Sequence, residues 1–121
     1  DVHVDVSENV RFDGDYNWNK EAVLNIVKNA VEYTPDGKNI FIGAEENDLY
    51  TKIVIRDEGK GIDEKDLPHI FERFYKRGNS AEDSFGIGLA LSKSIVEKQN
   101  GFVSVDSEVG KGTVFTVKYF K

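Results

Sequence analysis

Residues 21–35, EAVLNIVKNAVEYTP, are the stretch on which the prediction of the fold depends. Their apolar residues recur every three or four positions, which is the spacing of one face of an α-helix. The positions of this apolar stripe are Val23, Ile26, Val27, Ala30, Val31 and Thr34. The helix should stop near Thr34, because Pro35 disfavours helical geometry in the residue before it. The stretch therefore predicts an amphipathic helix that packs against a second layer of structure.

Two asparagines lie at the margin of this stripe, beside Ala22 and Tyr33. Asn25 and Asn29 are four residues apart, so their side chains lie one turn apart on the same side of the helix. Asparagine is a mediocre helix former, because its amide competes for backbone hydrogen bonds. One interpretation is a surface amide pair or a tertiary hydrogen bond. The other is a pair of neutral oxygens directed at a cation that also carries phosphate.

Composition limits the class of protein. The 121 residues are 39% hydrophobic and 31% charged, which is typical of one globular domain, here residues 1–121. The net charge of −6 argues against nonspecific nucleic-acid binding and against direct contact with an anionic membrane surface. The absence of cysteine excludes disulfides and thiolate metal sites. Because the chain begins without methionine, we expect it to be a domain excised from a longer protein.

The segments around the helix alternate between strand and helix patterns. Residues 2–6 and 10–12 predict strands, and Asn17 or Asn19 is a candidate cap for the helix. Residues 40–44 and 49–55 predict an antiparallel hairpin. We expect its second strand to direct one set of residues toward the helices and the other toward water. The inward set is Leu49, Thr51, Ile53 and Ile55, and the outward set is Tyr50, Lys52 and Arg56.

The second half of the chain begins with a loop-rich stretch, residues 57–85, with a short helical turn around residues 67–71. A helix should follow from Gly86 and end before Gly101. We expect Ile87, Leu91 and Ile95 to form its apolar side, with Ala90 and Ser94 beside them. Residues 102–106 and 113–120 predict a second hairpin. The order of elements indicates an α+β fold, a two-layer α/β sandwich in which about three helices cover one face of a mixed, mostly antiparallel sheet.

Two glycine-containing stretches are candidates for binding chemistry. Residues 57–62, DEGKGI, place Asp57 at the end of a buried strand, before Gly59 and Gly61. A carboxylate there accepts a hydrogen bond, for example from an adenine amino group, while glycines let the backbone pass close to a flat ligand. The alternative is a plain turn with a capping aspartate. Residues 84–89, SFGIGL, lie where the long loop enters a helix, and free amides at such a junction bind anions.

Three further features have weaker implications. Residues 71–77, FERFYKR, indicate either a small satellite core that anchors a lid, with Lys76 or Arg77 reaching phosphate, or a surface for docking another protein. We interpret residues 110–113, GKGT, as a hairpin turn and not as a phosphate loop. His3 and His69 are assigned no catalytic role, because their positions suggest neither a metal pair nor a nucleophile with its base.

Taken in order, these blocks resemble the ATP-binding catalytic domain of sensor histidine kinases. That domain belongs to a wider group with DNA gyrase, the large heat-shock chaperone and MutL, whose shared fold is called the Bergerat fold. The resemblance covers nearly the whole chain and implies an ATP site between the first helix and the glycine-rich loops. A lid spanning about residues 76–85 would close this site.

The resemblance also implies roles for individual residues. Asn29 would hold Mg²⁺ with help from Asn25, and Tyr33 would pack on the base. Asp57 would bind the adenine amino group above Gly59 and Gly61. The complete set implied for ATP binding is Asn25, Asn29, Tyr33, Asp57, Gly59, Gly61, Ile62, Lys76, Arg77, Gly86, Ile87, Gly88, Leu89 and Thr113.

The chain departs from the family pattern at two positions. Ser84 stands where the second glycine block commonly begins with glycine. Glu32 stands where many relatives carry a basic residue that meets phosphate. Cationic contact with phosphate would then come from Lys76, Arg77 or Arg73.

The activity that the resemblance implies is transfer of the ATP γ-phosphoryl group to a histidine on a separate dimerisation and phosphoacceptor domain of the same kinase. A response regulator would be an indirect partner, and the location would be the cytoplasmic part of a membrane-bound sensor. ATP hydrolysis is one alternative, but the gyrase branch places a glutamate base where this chain has Asn25, which accepts no proton at neutral pH. A non-catalytic, nucleotide-gated interaction module is the other alternative.

Overall fold

The structure, a computed structural model, describes residues 2–6, 16–35, 37–72 and 88–121. Its elements are β1 (Val2–Val6), α1 (Tyr16–Glu32), β2 (Ile40–Glu46), β3 (Tyr50–Asp57), a 3₁₀ turn (Leu67–His69), α2 (Gly88–Glu97), β4 (Gly101–Glu108) and β5 (Gly112–Phe120). Within these ranges the predicted order of elements is confirmed. The strand predicted at residues 10–12, the lid at residues 76–85 and the start of the second helix at residues 86–87 lie outside the described residues.

The five strands form one mixed sheet in the order β1-β2-β3-β5-β4. β1 pairs in parallel with β2, and the other neighbouring pairs are antiparallel. Both α-helices contribute to a core that includes residues of β2, β3, β4 and β5. The architecture is therefore the predicted two-layer sandwich. The described residues contain two α-helices and one 3₁₀ turn where about three helices were expected.

The buried face of α1 differs in part from the predicted stripe. Ala22, Ile26 and Ala30 are essentially inaccessible, whereas Val31 is 52% exposed, so its assignment to the stripe was wrong. The buried face follows Ala22, Ile26 and Ala30, which are spaced four residues apart. Val31 follows Ala30 in the chain and therefore points about 100° away from it around the helix axis. Asn25 and Asn29 are half-buried at the margin of this face, as predicted.

The helix α1 also begins earlier than predicted. It starts at Tyr16, so Asn19 lies inside the helix and caps nothing. Its amide is buried, donates to Gln99 Oε1 at 2.6 Å, and its Oδ1 accepts from the hydroxyl of Tyr119 at 2.6 Å. The side chain therefore joins α1 to the end of α2 and to β5.

The buried face of α2 overlaps the predicted one only in part. Leu89, Ser92, Ile95 and Val96 are buried, which confirms Ile95, whereas Leu91 and Ser94 are exposed, which makes their placement wrong. The hydroxyl of Ser92 donates to the carbonyl of Ala22 on α1 at 2.7 Å. Because this polar contact is satisfied inside the core, apolar periodicity alone wrongly placed Leu91 on the buried side.

The ends of two elements also differ from prediction. After α2, the left-handed position is taken by Asn100, with φ +61°, and not by Gly101. Gly101 begins β4, where a Cβ would lie 2.5 Å from Val96 Cγ1. Leu49 lies in the turn before β3, where its N–H donates to the Asn47 side chain at 2.8 Å, and it is 71% exposed. Leu49 was therefore wrongly placed among the inward residues of β3, although Thr51 and Ile55 are buried as predicted.

In the described part of the chain, no helix has the length and apolar character needed to cross a membrane.

Candidate functional site

Three polar residues lie side by side on neighbouring strands, and we call them the polar row. Asp57, the last residue of β3, is opposite Thr113 of β5, which is opposite Ser107 of β4. Asp57 and Thr113 are only 5% and 4% exposed. The Ser107 and Thr113 hydroxyl oxygens are 2.8 Å apart, within hydrogen-bond distance. Burying polar groups costs free energy of folding unless they are hydrogen-bonded. A row of buried polar groups at strand ends therefore needs an explanation, and we consider it a candidate site.

The loop at residues 58–62 crosses the end of the polar row and is fixed by hydrogen bonds at several points. The N–H of Gly59 donates to Asp57 Oδ1 at 2.9 Å. The N–H of Ile62 donates to Ser107 Oγ at 2.6 Å. Between these contacts, the carbonyl of Lys60 accepts from the N–H of Gly110 at 2.8 Å. Both outer members of the row therefore hold the loop against the β4–β5 hairpin.

The glycines of this loop meet the protein's own backbone. A Cβ on Gly59 would lie 2.5 Å from the carbonyl oxygen of Tyr33. Gly61 has φ +79°, and its Cβ would lie 2.7 Å from the carbonyl carbon of Glu108. Both glycines were expected to let the backbone pass close to a flat ligand. In the structure, the space that a side chain would take is filled by α1's end and by the hairpin.

The asparagine pair adjoins the beginning of α2. A Cβ built on Gly88 would lie 3.7 Å from both Cβ and Cγ of Asn25, so the helix start and the amide are in van der Waals range. Asn29 is one turn further along α1, and its carbonyl accepts from the N–H of Tyr33 at 3.2 Å. The carbonyl oxygen of Tyr33 in turn lies next to Gly59. The helix α1 thus connects the start of α2 at one end of the site with the polar row at the other.

The remaining site residues from the sequence analysis divide into two groups. Ile62 and Leu89 are 2% and 9% exposed and belong to the hydrophobic core, so their side chains stabilise the fold around the site. The predicted residues Lys76, Arg77, Gly86 and Ile87, with Arg73 and Ser84, lie outside the described residues.

The first residue of the aromatic stretch packs against the main hydrophobic core, and its predicted role in anchoring a lid stays a prediction. Phe71 packs against the core, with its ring 6.2 Å from that of Phe115 in an edge-to-face arrangement. His69, to which no catalytic role was assigned, has its Nδ1 2.7 Å from a carboxylate oxygen of Glu72 in an exposed pair. Residues 73–77, the rest of the aromatic and basic stretch, lie outside the described residues.

A second carboxylate, that of Glu58, lies next to the polar row in the chain. Hydrogen bonds from the side chain and the backbone of Asn39 lower the pKa of the Glu58 carboxyl, which follows Asp57 in the chain. Within the described ranges, no group of three or more His, Cys, Asp or Glu side chains is arranged to hold a metal ion. A divalent cation would therefore depend on amide oxygens and on oxygens of a ligand. This suits Mg²⁺, which usually keeps waters and substrate phosphates as ligands.

A groove of about 320 Å³ lies near the same strand ends but mainly on the other face of the sheet. Its walls include Arg56, Asp106 and Val114, which alternate along their strands with the members of the polar row. Alternate residues of a strand point to opposite faces. The lining also includes Asp57, Thr113 and Ser107, so the groove reaches the polar row at the strand ends.

Sequence reasoning missed Ser107. The signal was present in the hairpin, because counting outward from a turn at residues 109–111 places residue 107 opposite residue 113. The same count places Val105 opposite Phe115. Because Phe115 is buried, residues 105, 107, 113 and 115 all belong to the face of the sheet that packs against the core. Only the pairing of the two strands makes this serine a member of the site.

The fold agrees with comparisons to known proteins. Residues 14–121 match the family model described as histidine kinase-, DNA gyrase B- and HSP90-like ATPase, and the chain belongs to this family. It is 37% identical over 119 residues to the sensor histidine kinase YclK of Bacillus subtilis, covering 95% of this chain and 25% of that protein. It is 36% identical over 114 residues to sporulation kinase A of the same organism, covering 94% of this chain and 18% of that protein.

Among solved structures, the mycobacterial sensor histidine kinase MprB superposes with a TM-score of 0.88 at 28% identity. The match covers 98% of this chain and 82% of the MprB chain. The family resemblance and the fold expected from the sequence are therefore confirmed. Because this chain spans a quarter or less of the two Bacillus kinases, their complete activity and partners extend beyond what these similarities establish for it.

Proposed function

We propose that this chain binds Mg-ATP and acts as the catalytic domain of a protein-histidine kinase, transferring the γ-phosphoryl group to a histidine of a separate phosphoacceptor domain. The observation that carries the proposal is the polar row, in which a buried carboxylate and a buried hydroxyl lie beside the half-buried end of α1. Family membership supports ATP as the nucleotide.

The adenine end of the site is assigned to Asp57 and Thr113. The carboxylate of Asp57 is oriented by the N–H of Gly59 at 2.9 Å and is suited to accept from an exocyclic amino group. Thr113, opposite it on β5, places a hydroxyl on the same edge. Tyr33 is half-buried at the end of α1 and can cover the base.

The phosphate end is assigned to the asparagine pair and the start of α2. Asn29 and Asn25 offer neutral amide oxygens, and Gly88 lies in contact range of Asn25. The first N–H groups of a helix have no partner within the helix and attract anions. When bound, Mg²⁺ supplies charge neutralisation for phosphoryl transfer. Lys76 and Arg77 remain proposed phosphate contacts.

The chemistry proposed for the chain's own residues is positioning. Phosphoryl transfer depends mainly on alignment of the attacking atom and on stabilisation of charge. The attacking nitrogen would come from the histidine of the phosphoacceptor domain. Hydrolysis, the rival activity, needs a base for water, and Asn25 supplies none at neutral pH. We therefore expect negligible steady-state ATP hydrolysis by this chain.

Transfer in trans tests the proposal. The purified chain is mixed with γ-labelled ATP, Mg²⁺ and the matching dimeric helical domain that carries the acceptor histidine. Label on that histidine, lost when Asn29 is replaced by Ala, is the expected result. No label, despite tight ATP binding, would favour the nucleotide-gated interaction module. Steady phosphate release by the chain alone, abolished in Asn29→Ala, would instead support the hydrolase.

Partners and location follow from the same proposal. The direct partner is the dimerisation and phosphoacceptor domain of the same kinase, and a response regulator would receive the phosphoryl group afterwards. The chain would lie on the cytoplasmic side of a membrane-bound sensor, where ATP is available, without touching the membrane itself.

A further inference from the structure

We infer that Ser107 is a positioning residue for the nucleotide site, acting on the base through the loop at residues 58–62 and through Thr113. The inference deepens the proposed function and rests on it. Ser107 belongs to neither glycine block, and its hydroxyl has three neighbours. Its Oγ lies 2.6 Å from the N of Ile62, 3.0 Å from the carbonyl oxygen of Gly112 and 2.8 Å from Thr113 Oγ1.

The first consequence concerns the loop. The N–H of Ile62 donates to Ser107 at 2.6 Å, and Ile62 itself is 2% exposed, so the serine hydroxyl is the partner that satisfies this buried N–H. A buried N–H without a partner is costly, so loss of the hydroxyl favours movement of the loop. The other end of this loop is held by Asp57 Oδ1. Movement at Ile62 therefore disturbs the carboxylate proposed to bind the adenine amino group.

The second consequence concerns the proton of Thr113. A serine hydroxyl has one proton, and Ile62 already donates to Ser107, so that proton goes either to the Gly112 carbonyl or to Thr113. If it goes to Gly112, Thr113 donates to Ser107. If it goes to Thr113, the threonine proton is released to point toward a ligand. Ser107 thus decides whether Thr113 presents a donor beside Asp57.

This choice bears on base specificity. The edge of adenine carries an amino donor next to a ring-nitrogen acceptor, whereas guanine presents an oxygen acceptor next to an N–H donor. A carboxylate beside a hydroxyl donor complements adenine and opposes guanine. Bound ATP is expected to select the arrangement in which Ser107 donates to Thr113. Ser107 is then a determinant of the preference for ATP over GTP without touching either base.

The test compares Ser107→Ala with Ser107→Thr, which keeps the hydroxyl, and with Ser104→Ala as the control. Ser104 is on the same strand but three residues away, so it points to the opposite face. Affinities for Mg-ATP and Mg-GTP are measured by calorimetry well below the unfolding midpoint of each variant. We expect Ser107→Ala to weaken ATP binding about tenfold and to reduce the ATP:GTP ratio. Ser107→Thr should restore both to within about twofold, and Ser104→Ala should change neither.

A double-mutant cycle separates positioning from simple loss of stability. In a Thr113→Val background, Ser107→Ala should have little further effect on the ATP:GTP ratio, because the group through which it acts is gone. An unchanged ATP affinity and ratio in folded Ser107→Ala would overturn the inference. If Ser107→Ala does not fold, Ser107→Cys, with the same shape and a weaker donor, takes its place under the same expectation.

Failure of the proposed function gives a different pattern. In that case the unaltered chain would not bind Mg-ATP, or Asp57→Asn would bind it as tightly as the unaltered chain. Tight ATP binding by the unaltered chain, lost in Asp57→Asn but retained in Ser107→Ala, would reject only the role of Ser107.

Discussion

The contact between the loop at residues 58–62 and the β4–β5 hairpin predicts that Gly61→Ala is far more damaging than Gly110→Ala. The two glycines have nearly the same positive φ, +79° for Gly61 and +86° for Gly110. They differ in their surroundings. A Cβ on Gly110 meets no atom within 4 Å, whereas a Cβ on Gly61 would lie 2.7 Å from the carbonyl carbon of Glu108. Comparing the two variants separates the free-energy cost of a positive φ from the cost of a steric clash.

The expected magnitudes follow from these two costs. A left-handed conformation costs an L-residue roughly 1–2 kcal/mol, which both variants incur. Gly61→Ala also forces backbone apart, and overpacking of this kind typically costs a further 1–3 kcal/mol. Gly61→Ala should therefore reduce the free energy of unfolding by about 2–5 kcal/mol, and Gly110→Ala by about 1–2 kcal/mol. For a domain whose total stability is about 5–15 kcal/mol, the first loss is severe.

Urea denaturation followed by far-UV circular dichroism measures both variants. The urea midpoints are compared only if the variants share the same slope of unfolding free energy against urea concentration. A changed slope would indicate loss of two-state behaviour or a change in the denatured state. Equal losses for Gly61→Ala and Gly110→Ala would refute the reasoning, because they would mean that the hairpin does not press on the loop. A Gly61→Ala protein as stable as the unaltered chain would refute it more strongly.

Three further predictions concern the nucleotide site and the core. Asp57→Asn should weaken ATP binding by about 10- to 100-fold in calorimetry, because it replaces a charged acceptor, while Asp106→Asn on the opposite face should have no effect. Asn29→Ala should remove most of the difference between ATP affinities measured with Mg²⁺ and with EDTA; an unchanged difference would exclude Asn29 as a ligand. Burial raises the pKa of Tyr119 from 10.0 to about 12. The folded state therefore binds this proton more tightly than the unfolded state, and stability falls as pH rises from about 10 toward 12. Tyr119→Phe should flatten this alkaline loss in urea titrations, and the same pH dependence in both proteins would contradict the assignment.

The sequence was sufficient for the elements and for their order, because each long element has a clear period. Residues 21–32 form the helix that their spacing predicted, and both hairpins are present. The faces of the helices were less predictable. Ser92 is buried because its hydroxyl finds the carbonyl of Ala22, and Leu91 is left exposed. A rule that sorts residues by hydrophobicity has no means of recognising a polar group that is satisfied by another helix.

The site was predictable where its residues are consecutive and unpredictable where strand pairing creates it. Asp57 could be identified from its position at a strand end. Ser107 becomes part of the site only because β4 and β5 pair in a register that sets it opposite Thr113. A shift of that register by one residue would turn the serine to the other face of the sheet. The hairpin turn fixes the register, so residues 109–111 determine which side chains of β4 and β5 form the polar row.

The structure also changes which residues are evidence for a ligand. Gly59 and Gly61 are explained by the backbone atoms of Tyr33 and Glu108, so packing alone requires glycine at both positions. The glycine pattern therefore supports the fold, and only indirectly the nucleotide. Asp57 is different, because packing does not explain a carboxylate that is 95% removed from solvent next to a core of aliphatic and aromatic residues. Its Oδ1 accepts from the N–H of Gly59, which fixes the orientation of the carboxylate at the end of β3. An oriented, buried carboxylate at a strand end suits recognition of a ligand amino group, and this makes Asp57 the strongest single argument for binding in this chain.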